Sequence, residues 1–144
     1  MSAPVVRLAA QRDPAPAVVD ASLFVDALIP GTRRDAARDA LAGVAPTCPT
    51  SVDLEVMSAL SRLERATALS SAEADAALSA WTEADIERVD LVPLLPAAWL
   101  GRASVRPADG LYLELARATA LPLLTTDARL SRAPVRGVTI VLVT

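Results

Sequence analysis

Ala17-Val18-Val19-Asp20, followed at once by Ala21-Ser22-Leu23-Phe24-Val25-Asp26-Ala27-Leu28, is the stretch on which the fold turns. A short apolar run ending in an acid reads as a buried strand. The residues after it read as a helix, stopped by Pro30-Gly31. The pattern returns near the other end of the chain, where Leu121 to Thr125 reads as a strand and Asp127 follows it.

Between these two units the same alternation continues. Thr32 is placed to cap a helix from Arg33 to Ala42, with Gly43 ending it. Val44 to Cys48 reads as a second strand. Thr50 and Asp53 resemble a capping box opening a helix to about Ala66, and Ser70 and Glu73 repeat that signature for a helix through Trp81. Leu91 to Ala103 suggests a short helix, Pro107 opens one that carries Asp109 through Ala118, and Val138 to Val143 reads as a last strand. Strands separated by helices, with no hairpin signals, predict a parallel sheet covered on both faces. Residues 1–16, proline-punctuated and aperiodic, read as a tail ahead of a single domain over 17–144.

Composition narrows the chemistry. The 144 residues contain no His, and all 14 basic residues are Arg. That excludes Ser-His-Asp and Cys-His catalysis, His-ligated zinc, and any phosphate or Schiff-base lysine. The single cysteine, Cys48, excludes a Cys-rich metal site and points to a reducing cytoplasm. The first sixteen residues lack the apolar run of a signal peptide, and the uncharged stretch Leu91–Gly101 is broken by Pro93 and Pro96, too short for a membrane span. Carboxylates with a hard divalent cation are the chemistry that remains. The net charge of -3 is not that of a tight, non-specific nucleic-acid binder.

Four acids stand out. Asp20 and Asp127 each follow a strand, so each either caps the next helix or faces the crevice beyond the strands' carboxyl ends. Glu55 borders the apolar face formed by Val52, Val56, Ala59, Leu60 and Leu63. Asp109 lies three residues before Tyr112 and seven before Ala116, within an apolar stripe. An early helical position suits an anion through the helix dipole, but a carboxylate on a buried face needs a partner or a cation. If the four converge, mutual repulsion raises the pKa of at least one. Asp35, Asp39, Glu73, Asp75, Glu83, Asp85 and Glu87 read as solvated helix residues, and Asp53 as a first-turn cap.

These residues resemble the PIN-domain toxins of the VapC type. The resemblance lies in Val18-Val19-Asp20-Ala21-Ser22, Asp53-Leu54-Glu55-Val56-Met57-Ser58-Ala59-Leu60, Asp109-Gly110-Leu111-Tyr112-Leu113 and Leu123-Leu124-Thr125-Thr126-Asp127-Ala128-Arg129-Leu130, in the family's order. It implies a three-layer α/β/α fold and Mg²⁺- or Mn²⁺-dependent endoribonuclease activity. A cognate antitoxin and homodimerisation are implied as well. Asp20, Glu55, Asp109 and Asp127 match the family's acidic positions, and Ser22 and Thr125 its supporting polar positions. The tail is longer than usual, and Gly110 stands where Ala is commoner, loosening its helix by up to about 1 kcal/mol.

On this reading Arg102, Arg106, Arg129 and Arg132 are either phosphate contacts or ordinary surface charges. Phe24, Leu28, Leu54, Met57 and the Trp81 region form either a groove for an antitoxin segment, a thicker helical layer or a dimer contact. A PIN-like module acting through protein binding alone is the other functional class. A small-molecule phosphohydrolase with an aspartyl nucleophile ordinarily needs the lysine this chain lacks.

Overall fold

Short, largely apolar segments of three to six residues form β1 (Ala15–Val19), β2 (Val44–Pro49), β4 (Leu123–Thr125) and β5 (Ile140–Leu142), with β3 (Glu87–Val89) the polar exception. The computed structural model describes residues 13–144, so the first twelve residues of the expected tail lie outside it. All strand pairs are parallel, in the order β3-β2-β1-β4-β5. β1 begins at Ala15, two residues ahead of expectation, because Ala15 and Pro16 already pair in register with Val44 and Ala45.

The helices are α1 (Ala21–Leu28), α2 (Arg34–Ala42), α3 (Val52–Arg65), α4 (Ser71–Thr82), α5 (Leu95–Leu100), α6 (Pro107–Thr119) and α7 (Ala128–Ser131). The chain steps from β1 outward through β2 to β3, then returns to β4 and continues to β5. Right-handed crossovers therefore set α1–α4 on one face and α5–α7 on the other. Accordingly α1 touches α2, α3 and α4, whereas α6 lies against β1, β2 and β4 and carries α5. The direction of winding reverses between β1 and β4. A crevice opens at the carboxyl ends of strands at such a reversal.

The core is aliphatic. Val18, Val19, Leu23, Val52, Val56 and Leu123 are fully buried, each contributing about 1.5–3 kcal/mol. Phe24 and Trp81 pack edge to face with centroids 4.9 Å apart, tying α1 to α4. Both are buried, so Phe24 and Trp81 belong to the helical layer and not to an exposed groove. Leu54 and Met57 remain exposed.

Three local expectations need correction. Arg33, not Thr32, precedes α2 as its N-cap, without a side-chain cap. The capping box at Thr50–Asp53 does not form: Ser51 is the N-cap, and the Asp53 carboxylate turns away to Arg88 and Trp81. Glu87 lies in β3, which pairs with β2 through Thr47, Cys48 and Pro49, rather than on a helix. The box at Ser70 and Glu73 forms with both of its hydrogen bonds. Gly110 has a packing reason: a Cβ there would stand 3.3 Å from Ala98 Cβ, so the bare backbone lets α5 close on α6. Among the described residues no helix is long and apolar enough to cross a membrane.

Candidate active site

In a parallel sheet every helix that precedes or follows a strand points one end at the carboxyl edge, and here those ends are acidic. Asp20 is the N-cap of α1 and Asp127 that of α7, while Glu55 and Asp109 stand in the first turns of α3 and α6. All four line one open cleft of about 1180 Å³ at the reversal between β1 and β4. Capping and placement along the crevice, alternatives in the sequence, occur together at Asp20 and Asp127. The Asp20 carboxylate accepts from Leu23 N, and that of Asp127 from Arg129 N and Leu130 N.

Asp20 is the most enclosed of the four. Ser22 Oγ donates to its Oδ1 at 2.7 Å and Thr125 Oγ1 to its Oδ2 at 2.8 Å. Those hydroxyls in turn accept from the backbone N–H groups of Thr126 and Asp127, so β4 and the carboxylate on β1 are locked together. Burial drives the Asp20 pKa up to about 6, against the lowering effect of its hydrogen bonds, and the charge of Asp109 adds to the rise. Glu55 is also raised, first by burial and then by Asp109 and Asp20, while a hydrogen bond from Tyr112 resists the shift. At both acids burial is the main cause, and repulsion from neighbouring carboxylates adds a smaller part.

Tyr112 is a site residue that sequence reasoning treats only as part of an apolar stripe. Its side chain is buried, and its hydroxyl donates to Glu55 Oε1 at 2.8 Å across the gap from α6 to α3. The available signal was its spacing of three from Asp109, which puts both on one side of α6, and the need of any buried phenol for a partner.

Arginines neutralise the cleft's open side. Arg106 Nε lies 3.2 Å from Asp109 Oδ2, and Arg129 Nη2 spans Asp109 at 3.4 Å and Asp127 at 3.3 Å. Burial disfavours the charged form of Asp127, but two backbone N–H groups and the Arg129 guanidinium outweigh it and hold the carboxyl below its ordinary value. Among the described residues no three acidic, His or Cys side chains are grouped closely enough to hold an ion. Arg102 does not face the cleft: it stacks on Trp99, 4.4 Å from the ring centre, and donates to that residue's carbonyl. Glu114 pairs with Arg117, away from the cleft. Asp26 lines it and lies 3.8 Å from Arg33. Cys48 donates to Val19 O, and burial pushes its thiol up to about 12, which leaves it unreactive.

A doubly wound parallel sheet of this order, with acids at the carboxyl edge, is the architecture of a PIN-like α/β domain. The PIN domain family matches residues 17–135, and the chain belongs to it. Within that class it is a ribonuclease of the VapC family. It is 46% identical over 121 residues to Ribonuclease VapC3 of Mycobacterium tuberculosis, covering 83% of this chain and 88% of that protein. The fold is similar to that of Mycobacterium tuberculosis VapC20, a sarcin-ricin loop cleaving toxin, with a TM-score of 0.64 and 17% identity over 85% of this chain and 98% of that one. It is equally similar to a chain of VapBC2 from Rickettsia felis, bound there to a promoter DNA fragment, with a TM-score of 0.64 and 13% identity over 90% and 99% of the two chains.

Proposed function

We propose that this ribonuclease is a Mg²⁺- or Mn²⁺-dependent endoribonuclease, the toxin of a toxin–antitoxin pair, whose cation is held by Asp20, Glu55, Asp109 and Asp127. The observation that carries the reading is that these four carboxylates, each at or near a helix N-terminus, line one cleft. The donor set fits a hard divalent ion, which takes oxygen ligands. The pKa values of Asp20 and Glu55 are raised mainly by burial and in smaller part by neighbouring acids, and a cation in the cleft would favour their ionised forms against both. A cation there supplies positive charge for the scissile phosphate and makes water more acidic.

The chain's own residues prepare that chemistry. Ser22 and Thr125 fix the Asp20 carboxylate from both sides, and Tyr112 fixes that of Glu55. Arg106 and Arg129 keep Asp109 and Asp127 neutralised in the ion-free protein. Cleavage of a single-stranded RNA panel should require Mg²⁺ or Mn²⁺, stop in EDTA, and be lost in Asp20→Asn. Undiminished cleavage in excess chelator would overturn the reading.

Membership of the VapC family and the toxin–antitoxin complex among the structural neighbours support a cognate antitoxin partner. Leu54, exposed and lining the cleft, and Met57 beside it on α3 offer that partner an apolar footing. The exposed Val92, Leu95, Trp99 and Leu100 around α5 suit a homodimer contact. Light scattering of the chain alone and with its co-expressed partner tests both. A cytoplasmic site of action, suited to RNA and a reduced Cys48, belongs to the same proposal.

A further inference from the structure

Beside the acidic cleft lies a second, smaller pocket of about 290 Å³, between the loop ahead of α6 and the segment that carries α7. Arg106, Asp109 and Arg129 line both, so the two are continuous across these three side chains. The walls of the smaller pocket combine Arg106, Arg129 and Arg132 with Val105, Leu130 and Pro134. Asp109 is its one acid, and that carboxylate is already engaged by Arg106 and Arg129. Among the described residues Arg132 has no carboxylate partner. An unpaired guanidinium beside an apolar wall suits a group with a phosphate at one end and a flat ring at the other. The volume is at the lower end for ligand pockets, about 300 Å³, which is small for anything beyond one nucleotide.

We infer that this pocket is an RNA subsite, holding one nucleotide next to the scissile phosphate with its own phosphate on Arg132 and Arg106. The strand then runs from the acidic cleft across Arg129 into the pocket. This gives the substrate a direction on the protein and offers RNA a local cluster of positive charge on an acidic chain, Arg106, Arg129 and Arg132, in addition to Arg33 and Arg62 that line the larger cleft. The inference rests on the ribonuclease reading and deepens it.

The test uses the full chain carrying Asp20→Asn, so that RNA is bound and not cut. Binding of a fluorescein-labelled single-stranded RNA is followed by anisotropy across a salt series. Each phosphate contact to a single strand contributes about 0.7 to the slope of log K against log salt. Arg132→Ala should therefore flatten the slope by about 0.7 and weaken binding about fivefold at 0.1 M salt relative to its effect extrapolated to 1 M. Ser104→Glu, an exposed loop change that adds negative charge at the pocket's rim, should weaken binding at least as much. Arg65→Ala, an exposed arginine on α3 outside both pockets, should change neither quantity. Circular dichroism melts establish that each variant is folded.

If Arg132→Ala and Ser104→Glu bind RNA like Arg65→Ala while the parent chain still cleaves RNA with metal, the subsite is wrong and the ribonuclease reading stands. If the parent neither binds nor cleaves RNA, both fall. Unchanged RNA binding together with a lost protein partner would reassign the pocket to an acidic peptide and overturn the RNA subsite.

Discussion

Burial of Asp20 pushes its pKa up to about 6, well above the ordinary carboxylate range. The folded chain therefore holds that proton more tightly than the unfolded chain does. The stabilising contribution is complete below about pH 4 and is lost as the pH rises through about 6, where ionisation in a buried site costs about 3 kcal/mol. Asp20→Asn removes the cost and keeps the shape, so in EDTA it should be more stable than the parent at pH 7, by on the order of 1–3 kcal/mol. The difference should shrink toward pH 4.5, and cleavage should be absent throughout. Denaturant melts at the two pH values decide this, and an equal stability difference at both would refute the pKa assignment. Tyr112→Phe acts one step away. Loss of the phenol hydroxyl removes a hydrogen bond that favours ionised Glu55, a contact worth about 1.5–3 kcal/mol to a charged acceptor. Cleavage should fall, and the acid limb of the pH–rate profile should move to higher pH. A fall in rate with an unmoved profile would make Tyr112 a packing residue only.

At the scale of elements, β3 survives as a strand of three residues because Arg88 reaches back to α3. Its guanidinium contacts both Asp53 oxygens, at 2.8 and 2.9 Å, and lies over Trp81. Arg88 holds the Asp53 carboxyl below its ordinary value, outweighing partial burial, with the Trp81 N–H assisting. The folded pKa is depressed, so this contribution is present above the unfolded value near pH 4 and is lost as the pH falls through the lower folded one. The pair is half-exposed and its worth is about 1 kcal/mol or less. Asp53→Ala should thus cost little global stability at pH 7 but raise hydrogen exchange locally at Arg88 and Val89; unchanged exchange there would show that the clamp does not hold the edge. None of this was legible in the sequence. Glu87-Arg88-Val89 is too short and polar to show a strand period, and Thr50-Ser51-Val52-Asp53 imitates a capping box whose acid has a stronger partner some 35 residues away in the chain. Elements with a long apolar period, α3 and α6 above all, were readable to within a few residues.

At the scale of the whole molecule, the alternation of strands and helices made the parallel sheet legible, and acids after β1 and β4 marked its crevice. What the sequence could not express is the cross-chain chemistry: Ser22 and Thr125 meeting on Asp20, Tyr112 reaching Glu55, and Arg129 bridging Asp109 to Asp127. That bridge has a consequence for the entire fold. On the proposed function Asp109 and Asp127 would share a divalent ion, and Arg129, which now contacts both, would compete with it. Ion binding only to the folded chain raises stability by about 2.7 kcal/mol at a hundredfold excess over Kd. Mn²⁺ should therefore raise the Tm of the parent and leave that of Asp20→Asn nearly unchanged. Arg129→Ala, freed of the competitor, should start from a similar or slightly lower Tm in EDTA, because its ion pairs are exposed, and then respond at lower Mn²⁺ concentration than the parent. The response should weaken as the pH falls below about 6, where Asp20 takes up a proton. Thermal melts over a Mn²⁺ series at pH 7.5 and 5.5 measure all three effects. A parent Tm that ignores Mn²⁺ would remove the cation from the site, whereas a normal response in the parent and a weaker one in Arg129→Ala would make the guanidinium a support for the ion rather than its rival.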